Sequence, residues 1–148
     1  MIKEHSMIFD RFHDALDTLV ALNAEHRALI PAQVKDTFSL SAFAREFCTI
    51  SCDIGCQTGK TVYIKRRAKE GDLVVVFNKA IRSAMFRDAG CEVITAQQLG
   101  NAASLPRFST IYVDEPKFVF NREVHSKFYD LLAHDRDQTF VVLGANHV

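Results

Sequence analysis

The segment Gly55-Cys56-Gln57-Thr58-Gly59-Lys60-Thr61 combines the residue types that phosphate binding requires. Successive backbone N–H groups in a glycine-containing turn converge into an anion nest. Gly55 and Gly59 carry no Cβ, so the backbone can come close to phosphate oxygens. Lys60 supplies a positive charge for the β- and γ-phosphates, and the Thr61 hydroxyl is a ligand type suited to Mg²⁺. Two acids stand together much later in the chain, Asp114 and Glu115, after the apolar run Ile111-Tyr112-Val113. An acid at the end of a strand beside such a loop can hold Mg²⁺ through its water or through Thr61, the role expected of Asp114. The next acid, Glu115, can orient an attacking water and take its proton. Together these residues point to binding and hydrolysis of a nucleoside triphosphate with Mg²⁺.

That chemistry needs elements that bring residues 55–61 and 114–115 to one place. Phe47-Cys48-Thr49-Ile50-Ser51-Cys52 predicts a short apolar strand, and a helix is expected from about Lys60 to Lys69, which would place the glycine loop between strand and helix. Further strands are predicted at Leu73-Val74-Val75-Val76-Phe77, Cys91-Glu92-Val93-Ile94-Thr95, Thr110 to Glu115 and Thr139-Phe140-Val141-Val142-Leu143. Helices are expected over 79–89, with Gly90 as its C-cap, and over 122–134, while 97–108 reads as a looser stretch. Strands alternating with helices imply right-handed βαβ units and a parallel sheet covered on both faces. Ligands of such sheets bind beyond the carboxyl ends of the strands, where both motifs fall. Upstream, Ile8, Phe9, Phe12, Leu16, Leu19 and Val20 recur at helical steps and predict an amphipathic helix over 6–28. Pro31 ends that pattern, and Ser39 or Ser41 can cap a short helix through Ala42 to Glu46.

The glycine loop resembles the P-loop pattern G-x-x-x-x-G-K-[ST], with its first glycine one place late, at Gly55 and not at residue 54. Ile111 to Glu115 resembles a Walker B strand. The adjacent Asp-Glu pair is similar to the additional-strand, catalytic-glutamate division of P-loop proteins. From residue 30 onward the chain resembles the first RecA-like domain of helicases and of viral terminase ATPases. Cys56-Gln57-Thr58-Gly59-Lys60-Thr61 is similar to the terminase form of the loop, with Cys56 where that family has arginine. Val76-Phe77-Asn78-Lys79, Val93 to Leu99 and Val142-Leu143-Gly144-Ala145-Asn146 resemble, in turn, the second strand, the strand-plus-threonine element and the strand that ends in a polar γ-phosphate sensor.

The resemblance implies a three-layer RecA-like fold over 31–148, with residues 1–30 forming an N-terminal helix that packs on it. It implies ATP, with GTP left open, and Mg²⁺ as ligands, Gln33 as a reader of adenine, Gln57 as a phosphate or metal-water contact and Asn146 as the sensor. It also implies work on nucleic acid, with Lys79, Arg82 and Arg87 on the side that meets the strand. No arginine can be placed at a γ-phosphate from sequence, so a protein partner or self-assembly is expected to supply an arginine finger. The terminase-like loop and compact size point to a bacteriophage origin. Two other functions fit parts of the same pattern. Lys60-Thr61 with Arg66-Arg67 and Tyr112 to Glu115 is similar to thymidine kinases, although zinc cysteines and an aromatic lasso do not follow. The late first glycine also fits a regulatory protein that binds ATP with little turnover.

Composition narrows the classes. Lysine plus arginine and aspartate plus glutamate both number 18, so no global field draws the chain to nucleic acid or to anionic lipid. No apolar run approaches a membrane span, and the N-terminus lacks a signal-peptide core, so a cytoplasmic location (that of the host, for a viral protein) is expected. Cys48, Cys52, Cys56 and Cys91 and the scattered histidines match no zinc spacing, and free thiols are expected.

Overall fold

The computed structural model describes residues 2–54 and 59–145, with side chains from residue 7 onward in those ranges. Five strands form one sheet: β1 (Thr49–Cys52), β2 (Leu73–Val76), β3 (Glu92–Thr95), β4 (Thr110–Asp114) and β5 (Thr139–Leu143). Their order is β1-β5-β4-β2-β3, and every neighbouring pair is parallel. The strands are almost wholly apolar because both faces are covered, as a parallel sheet requires.

Alternation along each strand sorts its side chains to two cores. Leu73, Val75, Ile111, Val113, Phe140 and Val142 enter one, with α3 (Leu40–Phe47), α6 (Ala96–Asn101), α7 (Pro116–Val119) and α8 (Arg122–Leu132). Val74, Val76, Tyr112, Val141 and Leu143 enter the other, with α1 (Ile2–Ala28), α4 (Lys60–Arg67) and α5 (Lys79–Met85). The expected α/β class with a parallel sheet is thus observed. Among the described residues no helix is long and apolar enough to cross a membrane.

Several element bounds differ from expectation. Phe47 belongs to α3, whose N-cap Ser39 accepts from the Ala42 N–H, so β1 begins two residues late. α5 stops at Met85, short of 89, because Phe86 turns into the core; Gly90 is not its C-cap. The stretch read as loose contains α6, opened by a capping box in which Thr95 and Gln98 satisfy each other's backbone N–H groups. Two short helices, α2 (Ala32–Thr37) and α7, were not foreseen.

α1 runs along the second core from one end of the sheet to the other. Phe12 and Leu16 are buried in it. Near its C-terminus Arg27 donates to the Gln138 carbonyl and to Thr139 Oγ1 (3.1 Å), at the amino end of β5. Gln138 itself is fully buried. Its Nε2 donates to the carbonyls of Phe108 and Leu132 (2.8 Å each), and its Oε1 accepts from the N–H groups of His134 (2.7 Å) and Asp135 (3.1 Å). A second buried side chain tied to backbone is Asp72, which accepts from Lys69 N–H (3.1 Å) and Thr110 N–H (3.2 Å) and so joins the start of β2 to the start of β4.

Candidate functional site

The carboxyl ends of β1, β4 and β5 are laced together by backbone. Gly144 N–H donates to the Cys52 carbonyl (2.8 Å), Glu115 N–H to the Leu143 carbonyl (3.0 Å) and Lys117 N–H to the Ala145 carbonyl (2.9 Å). This fixes the places from which Asp53, Asp114 and Glu115 project. Glu115 pays for its place in backbone conformation: its φ of 56° is the one left-handed non-glycine value among the described residues. The turn is possible because Gly144, at φ 131°, lies against it; a Cβ there would stand 2.8 Å from Glu115 Oε2 and 3.2 Å from Glu115 Cα.

α4 starts at Lys60, with Gly59 as its N-cap at φ 90°. The buried Lys60 ammonium stands between two carboxylates, Glu115 Oε1 at 3.4 Å and Asp53 Oδ1 at 3.6 Å. One residue on, the Thr61 hydroxyl donates to Asp114 Oδ2 (2.9 Å). Asp114 Oδ1 is also buried and has no hydrogen-bond partner among the described residues. Burial pushes the Asp114 carboxyl above its ordinary value; the Thr61 hydrogen bond opposes this, the Glu115 charge adds to it and Lys60 opposes it again.

A buried carboxylate oxygen without a donor is costly unless a cation or proton meets it. Among the described residues no three His, Cys, Asp or Glu side chains gather as a metal cluster. The donors present are one carboxylate and one hydroxyl, a set that suits Mg²⁺, which takes few protein oxygens and completes its shell with water and phosphate. The residues therefore fit that ion.

The structure brings together Gly59, Lys60, Thr61, Asp114 and Glu115. Gly55, Cys56, Gln57, Thr58 and Asn146 lie outside the described residues. Gln33 is not gathered with the others. It is exposed on α2, which Arg136 ties to the loop before β5 by donating to the Lys35 carbonyl (3.1 Å), at the amino end of the sheet. Asp53 and Gly144 were not singled out as site residues. An acid directly after a strand and a glycine directly after another were the readable signals. Cys48, Cys52 and Cys91 are free thiols, and burial raises each of them, which is the opposite of an activated nucleophile.

Around the corner of the same sheet edge, beyond β2 and β4, two exposed rings meet. Phe77 and Phe118 have centroids 5.8 Å apart, and the Lys117 ammonium lies 4.9 Å from the Phe118 centroid. They border a cleft of about 320 Å³ that Gln97 and Asn121 also line. Of the expected nucleic-acid residues, Lys79 is exposed at the start of α5, whereas Arg82 is occupied by Gln98 Oε1 (3.1 Å). No family model, curated protein or solved structure matches this chain.

Proposed function

We propose that the chain binds Mg-ATP at the start of α4 and hydrolyses it, as a RecA-like P-loop ATPase of the additional-strand, catalytic-glutamate division. The observation that carries the reading is the Thr61–Asp114 hydrogen bond with its buried, partnerless Asp114 Oδ1. A serine or threonine after the loop lysine and a strand-end aspartate are the two protein groups that a P-loop site directs at Mg²⁺. Their meeting across 53 residues of chain is what the reading requires. The sheet order supports the finer assignment, since β5 is inserted between the loop strand β1 and the acid-bearing strand β4.

Each residue then has a task. The N–H groups at the start of α4 and the Lys60 ammonium bind phosphate oxygens. Lys60 exchanges its carboxylate partners for phosphate, and this releases Glu115 to orient a water and accept its proton. Asp114 and Thr61 would hold Mg²⁺, which would neutralise charge on the phosphate oxygens. The Phe77–Phe118 pair with Lys117 and Lys79 supports the nucleic-acid part of the reading, because exposed rings beside cations stack unpaired bases without regard to sequence.

The test is Mg²⁺-dependent phosphate release from ATP by the wild type and Glu115→Gln, with single-stranded DNA titrated in at low salt. Release that rises with DNA and falls by roughly 100-fold or more in the variant is expected for loss of a general base. Equal release by both proteins contradicts the assignment of Glu115.

A further inference from the structure

The N-terminal helix reaches the phosphate loop itself. Phe9 lies so close to Gly59 that a Cβ at that glycine would stand 2.8 Å from the ring. His13, 1% exposed, has its Nε2 2.9 Å from the Gly59 carbonyl oxygen and its Nδ1 3.2 Å from Arg66 Nη1. A guanidinium only donates, so Nδ1 accepts and the ring proton sits on Nε2, which donates to the carbonyl. Asp10 holds Arg66 from behind (3.0 Å). The Tyr63 ring meets the His13 ring edge-on at 5.2 Å, and the Tyr63 hydroxyl donates to Asp17 (2.9 Å), which also takes a bidentate pair from Arg67.

The Gly59 carbonyl already accepts the first helical hydrogen bond of α4, from Tyr63 N–H at 2.8 Å. The His13 bond is additional, so helix formation does not account for it. Its consequence follows from the planar trans peptide. The carbonyl of residue 59 and the N–H of residue 60 point in opposite directions. Fixing the Gly59 oxygen toward α1 and Tyr63 fixes the Lys60 N–H outward from the start of α4, the direction in which helix-terminal N–H groups bind phosphate. A carbonyl that accepts two hydrogen bonds also polarises its peptide and strengthens the N–H as a donor. A leucine of similar bulk would fill the space between α1 and α4 but would do neither.

We infer that α1 is part of the phosphate site, with His13 as a positioning residue that aims the Lys60 N–H at a phosphate through the Gly59 carbonyl. The inference rests on the proposed ATP site. It extends that site to a helix whose residues lie 46 positions away in the chain.

The experiment compares wild type, His13→Leu, His13→Gln and Lys60→Ala by equilibrium binding of Mg-ATP and of inorganic pyrophosphate, with thermal melts of each protein alone. The glutamine amide can reach the Gly59 carbonyl as Nε2 does, and leucine cannot donate. His13→Leu is expected to lose roughly tenfold in affinity for both ligands, the value of about one hydrogen bond at the phosphates. His13→Gln is expected to recover most of that loss. A purely structural histidine would give a lower melting temperature with unchanged affinity of the folded protein, or equal defects in the two variants; either result overturns the inference. If His13→Leu does not fold, His13→Met serves, since its side chain fills similar space and has no proton to donate to the Gly59 carbonyl. Weaker pyrophosphate binding by that variant supports the inference and wild-type binding overturns it. Wild-type ATP binding that is indifferent to Lys60→Ala would instead remove the underlying site, an outcome distinct from failure of the His13 variants alone.

Discussion

Asp114 concentrates the conflict between stability and function at the level of single residues. Its carboxyl is raised from 3.8 chiefly by burial, so the folded protein holds that proton more tightly than the unfolded chain does. The stabilising share of this titration is full below the ordinary aspartate value and is lost as pH rises through the raised one. Above the raised value the ionised, half-paired carboxylate is a cost. Asp114→Asn, which keeps an oxygen for Thr61 and cannot ionise, is therefore expected to melt no lower than wild type at pH 7 and to lose the advantage as pH falls toward 4. The same variant should lose the Mg²⁺ dependence of nucleotide binding. Melting curves across pH, with nucleotide titrations with and without Mg²⁺, check both halves.

The gathering of Lys60, Thr61, Asp114 and Glu115 was legible in the sequence because a Lys-Thr pair at a helix start after glycine and an acid pair at a strand end are marked by residue type and position. His13 and Phe9 were not. They read as helix residues, and what brings them to the start of α4 is a contact with Gly59 that no periodicity announces.

The strands could be read closely at the level of elements because five short apolar runs, bounded by polar turns, leave few alternatives. β5 was foreseen to its ends. α6 was missed because a six-residue helix with only Ala96 and Leu99 buried shows no full amphipathic period; the Thr95–Gln98 capping box was its one readable sign. α1 was read as amphipathic, but Arg27 and the buried Gln138, which anchor its far end, carry no pattern of their own. Gln138 satisfies four backbone groups at the turn before β5. Gln138→Leu is expected to destabilise the fold by about 3 kcal/mol, because buried N–H and carbonyl groups lose their partners while the apolar volume is kept. Urea unfolding would read this as a lower midpoint at unchanged slope.

The whole molecule has equal numbers of basic and acidic side chains, so any contact with nucleic acid must be local. Among the described residues, Lys117 lies over the exposed Phe118 ring, and the exposed Lys79 follows Phe77 by two positions in the chain. Binding of single-stranded DNA is expected to be weak and mildly salt-dependent, with a log–log slope of about −1.4 for two neutralised phosphates. Phe118→Ala should weaken binding while leaving that slope nearly unchanged, since stacking releases no counterions. A slope several times steeper would place the contact on a different, more basic surface. Fluorescence anisotropy of a labelled oligonucleotide over a salt series measures both quantities.

The most direct test of a phosphate site at the start of α4 is calorimetric titration of ATP into the wild type and Lys60→Ala, each with and without Mg²⁺. Saturable wild-type binding that strengthens with Mg²⁺ and is lost in Lys60→Ala is the expected result. No binding by the wild type, or equal binding by both proteins, would contradict it.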